Sequence, residues 1–353
     1  MKTYLLRIAA LLLLASAHPA WSAAAEPEKG PAAVNAMVLY QGADRHDRLV
    51  AAAQKEGELT VYNVYPQLTV VMDAFSKKYG IKIKSWRAGS EAVLQRVISE
   101  ARGSRFDVDI VQNNAPENTA LHREKLSQEV WSPYLSDLIP QASPAHKEWV
   151  GITIDVFTAA YNPRLIKKED LPKSYHDLLD PKWKNRMAIE ANDYGWFGAL
   201  IEAMGEQQGR KLFTDIVATN GMSFRKGHSL MGALVASGDT PLALSAYSWV
   251  GEQMKKKDAL IENHILQPLI AQFSTIAMLK KAPHPYAALL FYDYMLSEGQ
   301  QQLAKLDYVV TSKKFESPFS KVPMKFIDPD RALDMQEKWT KTFEDVLINN
   351  ARR

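Results

Sequence analysis

Residues 58–87 read ELTVYNVYPQLTVVMDAFSKKYGIKIKSWR, and this stretch decides the fold. Leu59 to Val64 is a short apolar run with β-branched and aromatic residues, the pattern of a buried strand. Tyr65-Pro66 breaks it, and apolar residues at helical spacing follow from Leu68 to Lys78, closed by Gly80. Ile81, Ile83 and Ser85 then alternate with lysines, as in a strand with one exposed face. Upstream, helical spacing begins near Asp44, with Leu49, Ala52 and Ala53 on one face and Gly57 as the stop. Downstream, Ser90 reads as an N-cap, with Glu91, Leu94 and Val97 in a helix to about Ala101. Val108 to Val111 is the next strand, and residues 116–125 return to helix. Strand and helix alternate throughout, which means βαβ units, a mainly parallel sheet and an α/β fold. Such sheets hold ligands beyond the carboxyl ends of their strands. Tyr65 to Gln67, Gly89-Ser90 and Asn113-Asn114 are therefore expected in one cleft.

A second alternating block follows. Gly151 to Tyr161, Arg186 to Ile189 and Leu242 to Ala246 read as strands. Phe197 to Met204 and Gly209 to Ala218 read as helices, and Ser229 is expected to cap a helix ending at Ser237-Gly238. Near residue 266 the chain changes again: Ala271 to Leu279 is a strand and Pro285 to Ser297 a helix. Asp328 to Asn349 reads as one amphipathic helix, with Met335, Trp339, Phe343 and Val346 as a core-facing stripe. At 353 residues, against roughly 150 per domain, two domains are expected. The division is 44–150 plus 266–353 for the first, including the C-terminal helix, and 151–265 for the second.

The N-terminus has the three parts of a secretory signal peptide. Lys2 and Arg7 are basic, Ile8 to Ala17 is apolar, and Ser22 to Ala25 are small. Residues 1–25 are assigned to that signal and 26–43 to a loose leader. The apolar run falls short of the about 20 residues that span a bilayer, so no membrane span is expected in the mature chain, which is placed in the periplasm. With 43 basic and 40 acidic residues, net charge is only +3, too even to point to nucleic acid. There is no cysteine, which removes disulfides, thiolate catalysis and thiolate metal sites.

Several segments in order resemble the type 2 periplasmic solute-binding proteins, in particular the ferric-iron-binding branch. They are Leu49 to Asn63, Phe75 to Ile83, Gly89-Ser90-Glu91 with Leu94 and Val97, Asp177 to Lys184, Val235 to Asp239, and Ser297 to Gln301. The resemblance covers residues 45–315. It implies a two-lobed fold, with two mainly parallel sheets flanked by helices, a hinge, and a ligand cleft between the lobes. It also implies delivery to an ABC permease and its ATPase, and the expectation is a monomer. Ferric members use an adjacent tyrosine pair with a histidine and a carboxylate. Here Tyr247 fits the first tyrosine, and Ser248 stands at the second. No histidine occurs around Tyr65 to Gln67, and Asn114 stands where a glutamate is expected. Tyr247 is thus the one metal ligand the resemblance carries over, with anions from solution completing the sphere.

Those departures make an organic or phosphorus-containing anion the first expectation, with ferric iron as the alternative cargo and no resident cofactor. Ser90 and Ser229 at helix starts offer free N–H groups and the positive end of the helix dipole. Arg87 and Arg225 precede them and supply charge-assisted bonds. Asn113 and Asn114 are neutral donors after a buried strand. Asp193, Tyr194 and Trp196 precede a helix and give an aromatic wall. His228 reads as a surface residue, and no HxxxH pair occurs. No GxSxG, HExxH or P-loop motif supports the rival reading of a secreted enzyme. A periplasmic sensor with the same closing fold is the other rival.

Overall fold

The computed structural model describes residues 36–351. The proposed signal peptide and the first part of the leader lie outside that range. The end of the leader is not loose: Met37 and Val38 are buried, and the Val38 carbonyl accepts from the Trp131 N–H at 3.0 Å.

The first block runs α1 (Arg45–Glu56), β1 (Glu58–Asn63), α2 (Leu68–Tyr79), β2 (Lys82–Arg87), α3 (Ser90–Arg102), β3 (Ile110–Asn114) and α4 (Ala115–Arg123). A long strand, β4 (Val150–Tyr161), leads into β5 (Met187–Glu190), α5 (Tyr194–Ala203), α6 (Glu206–Asn220), β6 (Ser223–Arg225), α7 (His228–Ser237), β7 (Leu242–Tyr247) and α8 (Ser248–Lys255). The chain returns through β8 (Glu262–His264) and a second long strand, β9 (Leu269–Met278). Then come α9 (Pro285–Leu296), α10 (Glu298–Lys305), β10 (Val309–Val310), β11 (Met324–Phe326), α11 (Pro329–Asp334) and α12 (Gln336–Phe343).

The main path of the sheet is β2-β1-β3-β9-β4-β7-β5-β6. β1, β2 and β3 pair parallel, as do β5, β6 and β7. These two parallel ends are joined by β9 and β4, which run antiparallel to each other and to the strands beside them. The two α/β lobes are therefore halves of one continuous mixed sheet, not separate sheets. β4 is buried along its whole length because it crosses from one lobe to the other. Helices cover the first lobe on both faces. Leu59 and Val61 face a core with Leu49, Phe75 and Leu290, whereas Tyr62 and Val111 face Val93, Leu94 and Val97 of α3. This two-sided burial is why β1 reads as an apolar run and not as an alternation.

The C-terminal segment differs from its sequence assignment in two ways. The single helix is broken at Met335 into α11 and α12, followed by a π-helical turn over Glu344–Ile348. Its apolar stripe packs on the second lobe: Trp339 lies over Gly198 of α5, and Phe343 meets Phe197 at 5.6 Å between ring centroids. A β-carbon at Gly198 would sit 2.1 Å from the Trp339 ring, so only glycine admits this approach. α11 reaches both lobes, through Arg123 to Asp330 and Asp334 and through Arg331 to Glu202.

Candidate functional site between the lobes

The carboxyl ends of β1, β3, β5 and β7 converge on the hinge, and the side chains just beyond them form the walls of the site. On the first lobe, Gln112 of β3 accepts from the Val64 and Tyr65 N–H groups at 2.9 and 3.1 Å, which fixes the turn after β1. Asn113 donates to the Ser90 carbonyl at 3.0 Å, joining the starts of α3 and α4. Ser90 is the first helical residue; Gly89 holds the cap position in extended conformation. Asn114 caps α4 by position, without a side-chain cap bond. One turn on, Glu117 is held at this junction with Oε2 buried and unpartnered. Burial raises its carboxyl to about 7, opposed by backbone N–H and the Ser90 hydroxyl.

The floor is the hinge. Asp155 of β4 accepts on Oδ1 from the Tyr65 hydroxyl at 2.8 Å and from the Trp249 indole at 2.9 Å. One residue comes from each lobe, so a single carboxylate oxygen ties the lobes together. Tyr65 also meets Thr153 Oγ1 at 2.5 Å and stacks on Tyr308 at 4.4 Å. Asp155 Oδ2 is buried with no partner, and burial raises this carboxyl to about 6. Further contacts cross the hinge: Gln67 to Gln253 at 2.8 Å, Gln253 to the Leu306 carbonyl at 2.7 Å, and Lys256 to Asp307 at 2.6 Å.

The second lobe supplies the other wall. Tyr247 ends β7, buried, with its hydroxyl accepting from Gln272 at 2.9 Å. Burial pushes its phenol well above 10, and the charges of Asp155, Asp193, Glu190 and Glu117 push the same way. His228 stacks on Tyr247 with ring centroids 3.8 Å apart, and its Nε2 lies 3.3 Å from Asp193 Oδ1. The surface role expected for His228 is thus corrected; its side chain is only 15% exposed. Burial opposes its charge, but Asp193, Glu190 and Asp155 outweigh burial and raise it above imidazole's ordinary value. Glu190, the last residue of β5, accepts from the Asn192 N–H at 2.6 Å and the Gly227 N–H at 2.7 Å. It clamps the loops that carry Asp193 and His228. Gly227 has φ 102, a conformation glycine adopts readily, and this turn aims His228 inward. The donor atoms of Glu190, Asp193 and His228 lie within 4.8 Å of one another. Trp196 is buried beside Phe157, which in turn packs on Tyr247.

Four expected residues are placed differently. Ser229 is not a cap: Gly227 holds that position, and Ser229 is exposed in the first turn of α7. Arg87 and Arg225 are exposed at the ends of edge strands, and Arg225 donates to the Phe224 carbonyl. Tyr194 turns toward the C-terminal segment and meets Phe343 edge-on at 5.1 Å. Sequence reasoning missed Glu117, Asp155, Glu190 and Gln272. Glu190 and Glu117 each lie within three residues of a strand's carboxyl end, which is the one signal that points to them. A cavity of about 580 Å³ lined by Glu58, Trp86, Arg96 and His284 lies at the opposite, amino-terminal end of β1 and is not part of this site.

The site is thus two lobe walls and a hinge floor, with four inward-facing acids around a phenol. The fold is that of a two-lobed periplasmic binding protein. The chain belongs to the bacterial extracellular solute-binding protein family, whose model matches residues 119–334. A relative in Serratia marcescens, the Fe(3+)-binding periplasmic protein, is 25% identical over 316 residues, spanning 85% of this chain and 90% of its own. Iron-bound HitA from Pseudomonas aeruginosa superposes with a TM-score of 0.71 at 24% identity, over 82% of this chain and 99% of HitA. AfuA from Actinobacillus pleuropneumoniae, with fructose-6-phosphate bound, gives 0.72 at 21% identity, over 83% and 99%. At such identities these two structures speak to the fold alone.

Proposed function

We propose that this protein is the periplasmic binding component of an ABC importer and that its cargo is ferric iron. One observation carries the choice of cargo. Glu117, Asp155, Glu190 and Asp193 surround Tyr247, and burial raises the first three. Buried charges are costly unless paired. A multiply charged cation supplies a partner to the unpaired oxygens of Glu117, Asp155 and Asp193. An anion would add to the repulsion. Of the residues on which the anion expectation rests, Arg87, Arg225 and Ser229 are exposed. The name of the Serratia relative supports the same cargo.

In this reading the open form takes up iron at Tyr247, whose phenolate is a hard oxygen donor. Closure brings the wall at Glu117 toward it and seats Tyr65 and Trp249 on Asp155. Small anions from solution fill the remaining coordination positions. Closure is favoured because the cation interacts with both walls only in the closed state. The closed form then docks on the permease. The N-terminal segment directs export in the same reading.

The test is a titration of the mature protein with ferric citrate, followed by the visible charge-transfer band of iron bound to a phenolate. The band is expected in the wild type and absent in Tyr247→Phe. A parallel thermal panel includes a phosphonate, a sugar phosphate and an organic ammonium. A ligand at 100 times its dissociation constant stabilises by about 2.7 kcal/mol. No band, with a thermal shift from one of the organic ligands, overturns the iron assignment.

A further inference from the structure

We propose that Glu190, Asp193 and His228 are direct ligands of the bound metal, so that the protein's donors are concentrated on the second lobe beside Tyr247. This assignment rests on the iron reading for its cargo, but its geometry stands apart from it.

Three separate segments deliver these side chains: the end of β5, the turn before α5 and the start of α7. Their donor atoms fall within 4.8 Å of one another. A metal at about 2.0–2.2 Å from each donor brings ligand atoms to within about 4.4 Å of one another. Small side-chain rotations close the gap. Glu190 is already positioned by the Asn192 and Gly227 N–H groups, one on each oxygen. A carboxylate has about four acceptor sites, so each oxygen keeps capacity for a metal.

The second observation is the unmet polar capacity in the cluster. Asp193 Oδ2 and His228 Nδ1 are buried and have no partner, and the Asp193 side chain is only 8% exposed. Buried polar atoms are almost always paired. A simple structural Asp–His pair accounts for Oδ1 and Nε2 but leaves the other two atoms idle. An ion held among these groups gives the idle Asp193 oxygen a partner and takes one imidazole nitrogen. One imidazole and two carboxylates suit first-row transition metals, with hard oxygens favouring iron. The stacking of His228 on Tyr247 keeps the group within one side chain of the phenol.

The test uses two near-isosteric variants, Asp193→Asn and His228→Gln, in the full mature chain. Each is titrated with ferric citrate by the phenolate band and, separately, with Co²⁺ by its visible d–d absorption. Thermal midpoints check that the fold is kept, and His228→Glu, which restores an oxygen donor, guards against a merely structural loss. Iron affinity is expected to fall by at least about 100-fold in each of the two variants, more than the loss of an outer-shell partner causes. Partial recovery is expected in His228→Glu. If iron binds the variants as tightly as the wild type, the trio is not the ligand set, although the iron reading survives. If the wild type binds no iron, the cargo reading falls and Co²⁺ decides the trio. Co²⁺ binding lost in both variants upholds it, and binding that is absent or indifferent to them overturns it.

Discussion

Two sets of acids withdrawn from solvent in this molecule are treated differently. At the rear, away from the hinge, each takes a cation or backbone N–H groups, although Asp293 Oδ1 stays buried without a partner. Asp293 is paired with Arg45, which also donates to the Trp131 carbonyl at 2.9 Å. Asp109 receives the His284 N–H on one oxygen, and the Thr60 N–H and His284 ring on the other. Glu56 takes the Tyr286 and Ala287 N–H groups. Between the lobes, Asp155, Asp193 and Glu117 each keep one buried oxygen without a donor. Asp293 shares that feature, but the Arg45 guanidinium stands on its other oxygen, whereas among the described residues no arginine or lysine pairs with Asp155, Asp193 or Glu117. In the proposed reading, the cation meets these unpaired oxygens.

The sharpest way to break this comparison is to remove a partner at the rear. Arg45→Leu strands Asp293 and is expected to cost about 3–5 kcal/mol in chemical denaturation. A loss below about 1 kcal/mol would erase the distinction. Removing an acid from the cleft has the opposite sign. Glu117 is raised from 4.5 to about 7, so the folded chain holds a proton that the unfolded chain releases. Its contribution to stability is complete below about pH 4.5 and is lost as pH rises through 7. Glu117→Gln is therefore expected to stabilise the ligand-free protein by about 2–3 kcal/mol at pH 9 and to change little at pH 4. Denaturant midpoints across that range read the difference, and a loss of stability at pH 9 would place Glu117 with the rear acids. The smallest effect belongs to a surface pair spanning the hinge. Lys256 is 60% exposed, so Lys256→Ala is expected to cost at most about 1 kcal/mol. A larger loss by the same measurement would shift the weight of closure from the interior to the rim.

Much of the fold is legible because its signals are local. Gly57 and Gly80 close α1 and α2 where the apolar spacing ends, and β1 and β4 announce themselves as mainly apolar runs. The stripe at Trp339 and Phe343 declares a buried face, but not which lobe buries it; that depends on the gap at Gly198, 141 positions earlier. The site is legible only where it follows strand ends, as at Tyr65, Asn113, Asp193 and Tyr247. Asp155 is hidden because it sits in the middle of a strand whose every residue is buried. Its place at the hinge arises from meeting Tyr65 and Trp249, 90 and 94 positions away. His228 looks like a surface residue until the turn at Gly227 brings it onto Tyr247. Ser229 looks like a cap because serine favours that position, yet the chain places glycine there to make the turn.

The central claim is that the cleft takes a cation, and the sign of proton exchange on binding tests it most directly. Calorimetric titration of the protein with ferric citrate, in two buffers of different ionisation enthalpy at pH 7, counts the protons exchanged. Metal ligands must shed their protons, and the Tyr247 phenol, held well above 10, has one to lose. Net release of at least one proton beyond the citrate blank, abolished in part by Tyr247→Phe, is the expected result. Binding without release, or proton uptake on binding a phosphonate or sugar phosphate with no response to iron, would contradict the account.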